Sequence, residues 1–107
     1  MVYKMSPNIA VYAKDIEAAK LFYSETLGFN VVSEGKDGVE LSAGPNTLFL
    51  MEEDSFSGIV HELFVGDLDQ ARDELVAKGC TVLRWRGKGQ DCYLQDPFGA
   101  IFNLWEK

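Results

Sequence analysis

The sequence predicts an α+β fold of two tandem βαβββ modules, which would form a curved mixed sheet around a cleft with the helices on its outer face. Three observations support this prediction. The two halves of the chain resemble each other at an offset of 52 or 53 residues, as positions 15 and 67 or 41 and 94 illustrate. Each half contains one amphipathic helical segment between an aspartate and a glycine. Three strand-like runs follow each helical segment.

The repeat extends over nearly the whole chain. The segment "AKDIEAAKLFYSETLGFNVV" (13–32) matches "VGDLDQARDELVAKGCTVL" (65–83), and "LSAGPNTLFLMEE" (41–53) matches "LQDPFGAIFNLWE" (94–106). Internal similarity of this kind indicates a structural unit that occurs twice. We therefore expect module 1 at 6–53, a linker at 54–58 and module 2 at 59–107, all within one domain.

Each module begins with a strand and a helix. The first strands are "NIAVYA" (8–13) and "IVHELFV" (59–65). Asp15 and Asp67 then have the position of helix N-caps, and glycines at the far ends favour a left-handed C-terminal residue. The apolar stripes are Ile16, Ala19, Phe22, Tyr23 and Leu27 in the first helix, and Leu68, Ala71, Leu75 and Val76 in the second.

Three more strands complete each module. They are "FNVVSE", "GVELSA" and "TLFLME" in the first module, and "TVLRWR", "DCYLQ" and "AIFNLW" in the second. A turn signal, "DPFG" (96–99), precedes the last of them. A helix can cover one face of such a sheet, so the other face would remain open for a ligand.

Strand alternation assigns side chains to the two faces. In the first strand it gives Asn8, Ala10 and Tyr12 to the open face, and in the last strand Asn103 and Trp105. Ile9, Val11, Phe102 and Leu104 would then pack under the helices. The same interpretation puts Leu48, Leu50, Glu52, His61 and Leu63 on the open face. It leaves Glu62 on the helix side, where a charge needs a partner.

Composition limits the classes of partner. The chain has 17 acidic and 10 basic residues and a formal net charge of −7. Nucleic-acid phosphates are bound by Lys and Arg, so a nucleic-acid partner is disfavoured. The sequence shows neither a membrane-spanning apolar stretch nor a signal peptide, and we expect a cytoplasmic protein with no membrane partner. Cys80 and Cys92 lack metal-ligand spacing and are expected to be free thiols.

Two motifs resemble those of a known family. "DIEAAKLFYSETLGF" (15–29) and "DPFGAIFNL" (96–104) are similar to the capped helix and the last hairpin of the vicinal oxygen chelate superfamily. That group contains glyoxalase I, extradiol dioxygenases and bleomycin resistance proteins. The resemblance implies a single glyoxalase/bleomycin-resistance-like domain over 1–107.

The resemblance also locates the metal site of the metal-dependent members. Their ligands lie near the start of the first strand and within the last strand of each module. At the 53-residue offset, the corresponding positions here are Asn8, Leu50, His61 and Asn103. Only His61 is a strong donor for a transition metal, which normally takes three or four His, Cys or carboxylate ligands. We therefore expect no metal and no cofactor, and we assign no catalytic residue.

These observations favour a metal-free small-molecule-binding protein that resembles the antibiotic-sequestering bleomycin resistance branch. Its ligand would be cationic or aromatic, because aromatic rings attract both. The expected ligand-binding residues are Asn8, Tyr12, Leu50, Glu52, His61, Asn103 and Trp105.

Two alternatives remain open at this point. The chain could be a lyase, isomerase or dioxygenase with an altered metal site that uses Glu40 or Glu52 together with His61. It could also be a non-catalytic interaction domain. A homodimer is expected, with the cleft formed either within one chain or between modules of two chains.

Overall fold

A computed structural model describes residues 3–52 and 58–107. Its elements, in order, are β1 (Lys4–Ala13), α1 (Ile16–Leu21), a π-helical turn (Phe22–Thr26), β2 (Asn30–Gly35), β3 (Gly38–Ala43), β4 (Asn46–Glu52), β5 (Gly58–Val65), α2 (Leu68–Ala77), β6 (Thr81–Trp85), β7 (Cys92–Gln95) and β8 (Ile101–Glu106). The predicted α+β class is confirmed. Of the predicted linker, residues 54–57 lie outside the described residues.

The chain divides into two compact units. The N-unit contains the described residues of Pro7–Ile59, and the C-unit contains those of Met1–Ser6 and Val60–Lys107. The strand order in the N-unit is β2-β3-β4-β1, and in the C-unit it is β5-β8-β7-β6. In each unit the first and last strands pair in parallel and the remaining pairs are antiparallel, so both sheets are mixed.

Both helices begin where the sequence predicts. A carboxylate oxygen of Asp15 accepts a hydrogen bond from the Ala18 amide at 3.0 Å, and one of Asp67 accepts from the Gln70 amide at 2.8 Å. These bonds satisfy first-turn amides that have no partner inside the helix. The N-cap predictions are confirmed. No helix among the described residues has the length and apolar character needed to cross a membrane.

The first helix ends differently from the second because it carries one more residue. Thirteen positions separate Asp15 from Gly28, whereas 12 separate Asp67 from Gly79. The extra residue is accommodated in the π-helical turn, where the Leu27 amide donates to the Phe22 carbonyl at 3.2 Å. A π turn closes an i→i+5 hydrogen bond and therefore holds one residue more than an α-helical turn.

The π turn changes which residues face the core. Phe22 and Leu27, which the sequence placed in the apolar stripe, are 50% and 47% exposed. Tyr23 packs against the core instead and stacks on Phe29, with ring centroids 6.1 Å apart. The prediction was therefore wrong for Phe22 and Leu27, because a regular helical period does not continue through a π turn.

Each unit has its own core beneath its helix. The buried N-unit core is Val39, Leu41, Leu48 and Leu50, and the residues packed against it include Ile9, Val11, Ile16 and Ala19. The buried C-unit core is Val65, Leu68, Ala71, Cys92, Leu94 and Leu104, with Leu63, Leu75 and Trp85 among the residues packed against it.

Membership of these cores fixes which sheet face each strand residue occupies. In β1 and β8 the predictions are confirmed, because Ile9, Val11 and Leu104 belong to the cores. In β4 and β5 the predicted faces are wrong. Leu48 and Leu50 lie in the N-unit core, and Leu63 packs against the C-unit core.

The errors have a physical cause in the pattern of each strand. Four consecutive apolar residues, Leu48 to Met51, give no alternation from which a face could be chosen. In β5 the true register puts Glu62 opposite Asn103. Neighbours across a ladder share a face, so Glu62 is on the open side and His61 on the helix side. The misfit noted for Glu62 was therefore a sign of the wrong register.

The DPFG turn before β8 is held by a single carboxylate. One oxygen of Asp96 accepts hydrogen bonds from the amides of Phe98 and Ala100, both at 2.9 Å. The Asp96 amide also donates to the Ala100 carbonyl at 2.8 Å. These bonds close the turn and set the start of β8.

We expect Asp96→Ala to lower the free energy of unfolding by about 1–2 kcal/mol, since two net hydrogen bonds of ordinary strength are lost. Chemical denaturation monitored by circular dichroism would measure this change. Asp96→Asn is the matched control, because it keeps an acceptor oxygen at the same place and should lose less than half as much. Equal losses in the two variants would contradict this role for the carboxylate.

Candidate functional site

The open face of each sheet is the face opposite its helix. In the N-unit the register aligns side chains across this face in two rows, Asn8–Thr47–Ser42 and Ala10–Phe49–Glu40–Ser33. In the C-unit the corresponding rows are Val60–Ile101–Gln95 and Glu62–Asn103–Tyr93–Arg84. In the N-unit, polar side chains lie around the Phe49 ring. In the C-unit, the second row carries two charged residues, Glu62 and Arg84.

The open face of the N-unit contains a cavity of about 330 Å³ beside the β2–β3 hairpin. Phe49 and Met51 supply its apolar wall, and Glu40 and Asp37 contribute carboxylates. Lys36 is the one cation among its lining residues. A cavity of this size, apolar with a few polar groups, is within the range of small-molecule sites.

Glu40 and Phe49 are the central pair of this cavity. They lie directly opposite each other on β3 and β4, and both are half-buried. Gly38 allows the hairpin to approach β4 closely, since a Cβ atom there would collide with the carbonyl oxygen of Leu50. The fold therefore positions a carboxylate and an aromatic ring opposite each other on two paired strands.

In the C-unit, Asn103 makes a structural hydrogen bond. Its side-chain oxygen accepts from the backbone amide of Cys92 at 2.9 Å. Cys92 is fully buried, and its thiol donates to the Gly87 carbonyl at 3.2 Å. The backbone pairing of β7 with β8 runs from Gln95 to Tyr93, so the Asn103 amide extends that ladder by one residue.

The rest of the C-unit row is charged and aromatic. The Arg84 guanidinium contacts the Asp91 carboxylate at 3.1 Å and lies 5.4 Å from the centre of the Tyr93 ring. Glu62 is aligned with Asn103 in the neighbouring strand. These groups give the C-unit open face a polar surface of hydrogen-bonding side chains.

Three further predicted site residues also lie on the open faces. Asn8 is half-buried beside Thr47. Tyr12 is aligned with Met51 and is only 6% exposed. Trp105 is aligned with Phe64 in the C-unit and is 37% exposed. Together with Asn103, these are the predicted positions whose faces agree with the structure.

The other three predicted site residues are on the wrong face. Leu50 is completely buried in the N-unit core. Glu52 follows it by two residues at the exposed end of β4, and alternation puts it on the helix side. His61 also faces the helix side, where its ring lies 6.0 Å from that of Phe102. The strand register determines the sheet face of all three residues, and the sequence did not reveal that register.

Sequence reasoning missed Phe49, Met51 and Tyr93 and assigned Glu40 only to an alternative. A usable signal existed for Glu40, because Val39 and Leu41 alternate with it and both are core residues. Pairing that strand with the next would have brought Phe49 to the same face. No comparable alternation surrounds Phe49 itself.

The donor set does not fit the metal of the metal-dependent relatives. The observed register corrects two of the four positions that the resemblance equates with metal ligands. Val60 replaces His61, because it lies seven residues before its capping aspartate as Asn8 does, and Phe49 replaces Leu50, because it occupies the row equivalent to that of Asn103. None of the resulting four side chains is His, Cys or a carboxylate. Within residues 3–52 and 58–107, no cluster of three or more His, Cys, Asp or Glu side chains could hold a metal ion.

The cysteines do not supply a nucleophile at an open face. Both are free thiols, as predicted. Cys92 is in the C-unit core, and Cys80 packs against it. Burial, and then the nearby Asp96 carboxylate, raise the pKa of Cys80, so its protonated form dominates at neutral pH. Burial and the Glu74 carboxylate likewise raise the pKa of Tyr3.

A family model described as a glyoxalase-like domain matches residues 8–105. The chain belongs to this family. The match spans most of both units and includes the open-face rows described above. Among curated proteins, none matches the chain significantly.

Several solved structures have a similar fold. A glyoxalase/bleomycin resistance protein/dioxygenase superfamily member from Vibrio splendidus 12B01 is 22% identical, with a TM-score of 0.70 and coverage of 99% of this chain and 100% of that one. A hypothetical protein from Bacillus halodurans C-125 is 18% identical, with a TM-score of 0.67 and coverage of 100% and 96%. At such identities the likeness concerns the fold.

An enzyme is also among the structural neighbours. A variant of homoprotocatechuate 2,3-dioxygenase from B. fuscum is 17% identical, with a TM-score of 0.69. The alignment covers 98% of this chain but 33% of the dioxygenase chain. The fold is therefore shared with part of a dioxygenase, and folds of this kind host several chemistries.

Proposed function

We propose that this glyoxalase-like chain is a small-molecule-binding protein whose N-unit open face holds an organic cation with a flat or apolar body, without a metal ion. The observation that carries the proposal is the alignment of Glu40 with Phe49 at the cavity of the N-unit. A carboxylate beside an aromatic face is an arrangement that binds cations.

The chemistry of the cavity suits such a ligand. The Phe49 ring attracts a cation by about 0.5–2 kcal/mol, depending on how much water is excluded. Glu40 supplies the opposite charge, and Asp37 adds a second carboxylate against one lysine. Met51 is unbranched and flexible, so it can adapt to the shape of an apolar body. The net charge of −7 also attracts cations over longer distances.

Metal-free binding is supported by the donor set of the open faces. A binding protein needs shape and a few polar groups, whereas the metal-dependent members need strong ligands at positions that here hold Asn8, Phe49, Val60 and Asn103. Sequestration of an antibiotic, as in the bleomycin resistance branch, is a narrower form of the same proposal. It predicts that expression of the chain protects bacteria from a cationic antibiotic that the purified protein binds.

Calorimetric titration with N-methylquinolinium and its uncharged analogue methylnaphthalene tests the proposal. The two probes share a shape and differ in charge. We expect the cation to bind the wild-type protein at least about tenfold more tightly, a difference of about 1.4 kcal/mol. Equal affinities would contradict a site selected for positive charge.

Substitutions then locate the site. Glu40→Gln should weaken binding of the cation by about tenfold, because it removes the charge and keeps the shape. Phe49→Leu should weaken it several-fold. Glu25→Gln, an exposed residue of the π turn, is the matched control and should bind as the wild type does. Unchanged affinity in Glu40→Gln would rule out this cavity as the cation site.

A further inference from the structure

The C-unit has a cavity of its own at the carboxyl end of β5. Its volume is about 570 Å³, and it is lined by Lys4, Met5, Phe64, Val65, Gly66 and Lys107. All six residues belong to the C-unit. Neither the family match nor the proposed cation site assigns a role to this cavity.

The cavity combines two positive charges with an apolar wall. Lys4 and Lys107 are its charged lining residues, and the remaining four carry no charge. The Lys107 ammonium lies 4.3 Å from the centre of the Phe64 ring, and the Lys107 amide donates to the Val65 carbonyl at 2.9 Å. The second bond anchors the backbone of Lys107 against β5.

Both ammonium groups are available to a ligand. Within the part of the chain that the structure describes, neither Lys4 nor Lys107 forms an ion pair with a carboxylate. This is notable in a chain with 17 acidic residues and 10 basic ones. The apolar portion is also accessible, because Met5 is 59% exposed and Phe64 is half-buried.

We propose that this cavity is a second ligand site, which binds a monocarboxylate with an apolar body. The carboxylate would accept charge-assisted hydrogen bonds from Lys4 and Lys107. The apolar body would lie on Phe64 and Met5, a ring and a flexible thioether that pack well against either an aromatic or an aliphatic group. Apart from the two lysines, the lining side chains carry no hydrogen-bonding group, which favours an anion of single charge.

The charge preference of this site is opposite to that of the N-unit cavity. The two proposals rest on different residues, so either can fail without the other. Aromatic and aliphatic acids both combine a carboxylate with an apolar body, so the test includes one of each. The probes are naphthoate, octanoate and naphthamide, the last being the uncharged match of the first.

Calorimetry at low ionic strength should show saturable binding of at least one of the two acids. Naphthamide should bind at least about fivefold more weakly than naphthoate if naphthoate binds, since hydrogen bonds to charged groups are stronger than those to neutral ones. Added salt should weaken binding of the acid, because exposed charges are screened. No saturable binding of either acid, or equal binding of acid and amide, would overturn the proposal.

Lysine substitutions test the assignment to this cavity. Lys4→Met and Lys107→Met retain an unbranched apolar side chain and should each weaken acid binding by roughly five- to tenfold. Lys78→Met makes the same charge change elsewhere in the C-unit and should leave the affinity unchanged. Equal losses in all three variants would indicate a response to net charge alone and would overturn the site.

Amide proton–nitrogen correlation spectra provide the position directly. Naphthoate should shift the amide signals of Val65, Gly66 and Lys107, and N-methylquinolinium should not. If naphthoate instead shifted residues of the 33–51 segment and left these three unchanged, the second-site proposal would be wrong. Failure of N-methylquinolinium to bind would concern the N-unit proposal alone.

Discussion

Leu50→Ala is expected to lower the free energy of unfolding by about 2–5 kcal/mol, the usual cost of removing a buried leucine side chain and leaving a cavity. Leu50 is completely buried in the N-unit core with Val39, Leu41 and Leu48. The same substitution of a leucine on an exposed ligand-binding face would lower the free energy of unfolding much less. Chemical denaturation gives the value directly.

The neighbouring residue provides a matched comparison. Phe49 lies on the same strand with its side chain on the opposite face and is half-buried. Phe49→Ala should destabilise the protein less than Leu50→Ala, although it removes a larger side chain, and it should impair binding of N-methylquinolinium. Leu50→Ala should bind the cation normally under conditions in which it is folded. The reverse pattern would mean that the face assignment of β4 is wrong.

Asn103→Leu is expected to lower the free energy of unfolding by about 1–3 kcal/mol, the cost of leaving a buried donor unsatisfied. The donor is the Cys92 amide, which donates a hydrogen bond to the Asn103 side-chain oxygen at 2.9 Å. Leucine has a similar size but no acceptor. Denaturation measures the loss, and amide hydrogen exchange should show faster exchange at Cys92 because its amide has lost its partner.

Asn103→Asp separates this structural role from a role as metal ligand. Aspartate keeps an acceptor oxygen for the Cys92 amide, so it should retain more stability than leucine at neutral pH. It also introduces a carboxylate at a position that the resemblance equates with a metal ligand. Because Val60 and Phe49 supply no donors, we expect this substitution alone to create no tight metal site. Equal destabilisation by Leu and Asp would contradict the hydrogen-bonding role.

Local signals in the sequence were enough to predict the elements of the fold. Asp15 and Asp67 cap their helices because a carboxylate at that place satisfies first-turn amides, which is a matter of a few neighbouring residues. Gly28 and Gly79 adopt the left-handed conformation, with φ values of 78° and 108°, as expected for residues that end helices. Such signals do not depend on distant contacts.

The faces of β4 and β5 could not be predicted in the same way. In β4 both faces are apolar, because Leu48 and Leu50 fill the core while Phe49 and Met51 line a cavity. In β5 His61 and Glu62 are both polar, so alternation gives no clear answer. A shift of one residue in register exchanges the two faces. The predicted faces contain such a one-residue shift, because the offset between the two repeats is not constant along the chain.

The candidate sites depend on residues that only the fold brings together. Four of the seven predicted binding residues, Asn8, Tyr12, Asn103 and Trp105, lie on open faces. Glu40 and Phe49 become partners through the β3–β4 register, which the sequence does not state. Lys4, Phe64 and Lys107 are far apart in the sequence, and no motif connects them.

Metal independence is the central claim, and titration of N-methylquinolinium into chelator-treated protein tests it most directly. We expect the same affinity before and after removal of metal ions, with about a tenfold loss in Glu40→Gln. Parallel titrations with zinc, nickel, manganese and iron should show no sub-micromolar site. Cation binding that disappears on chelation and returns with one of these metals would contradict metal independence.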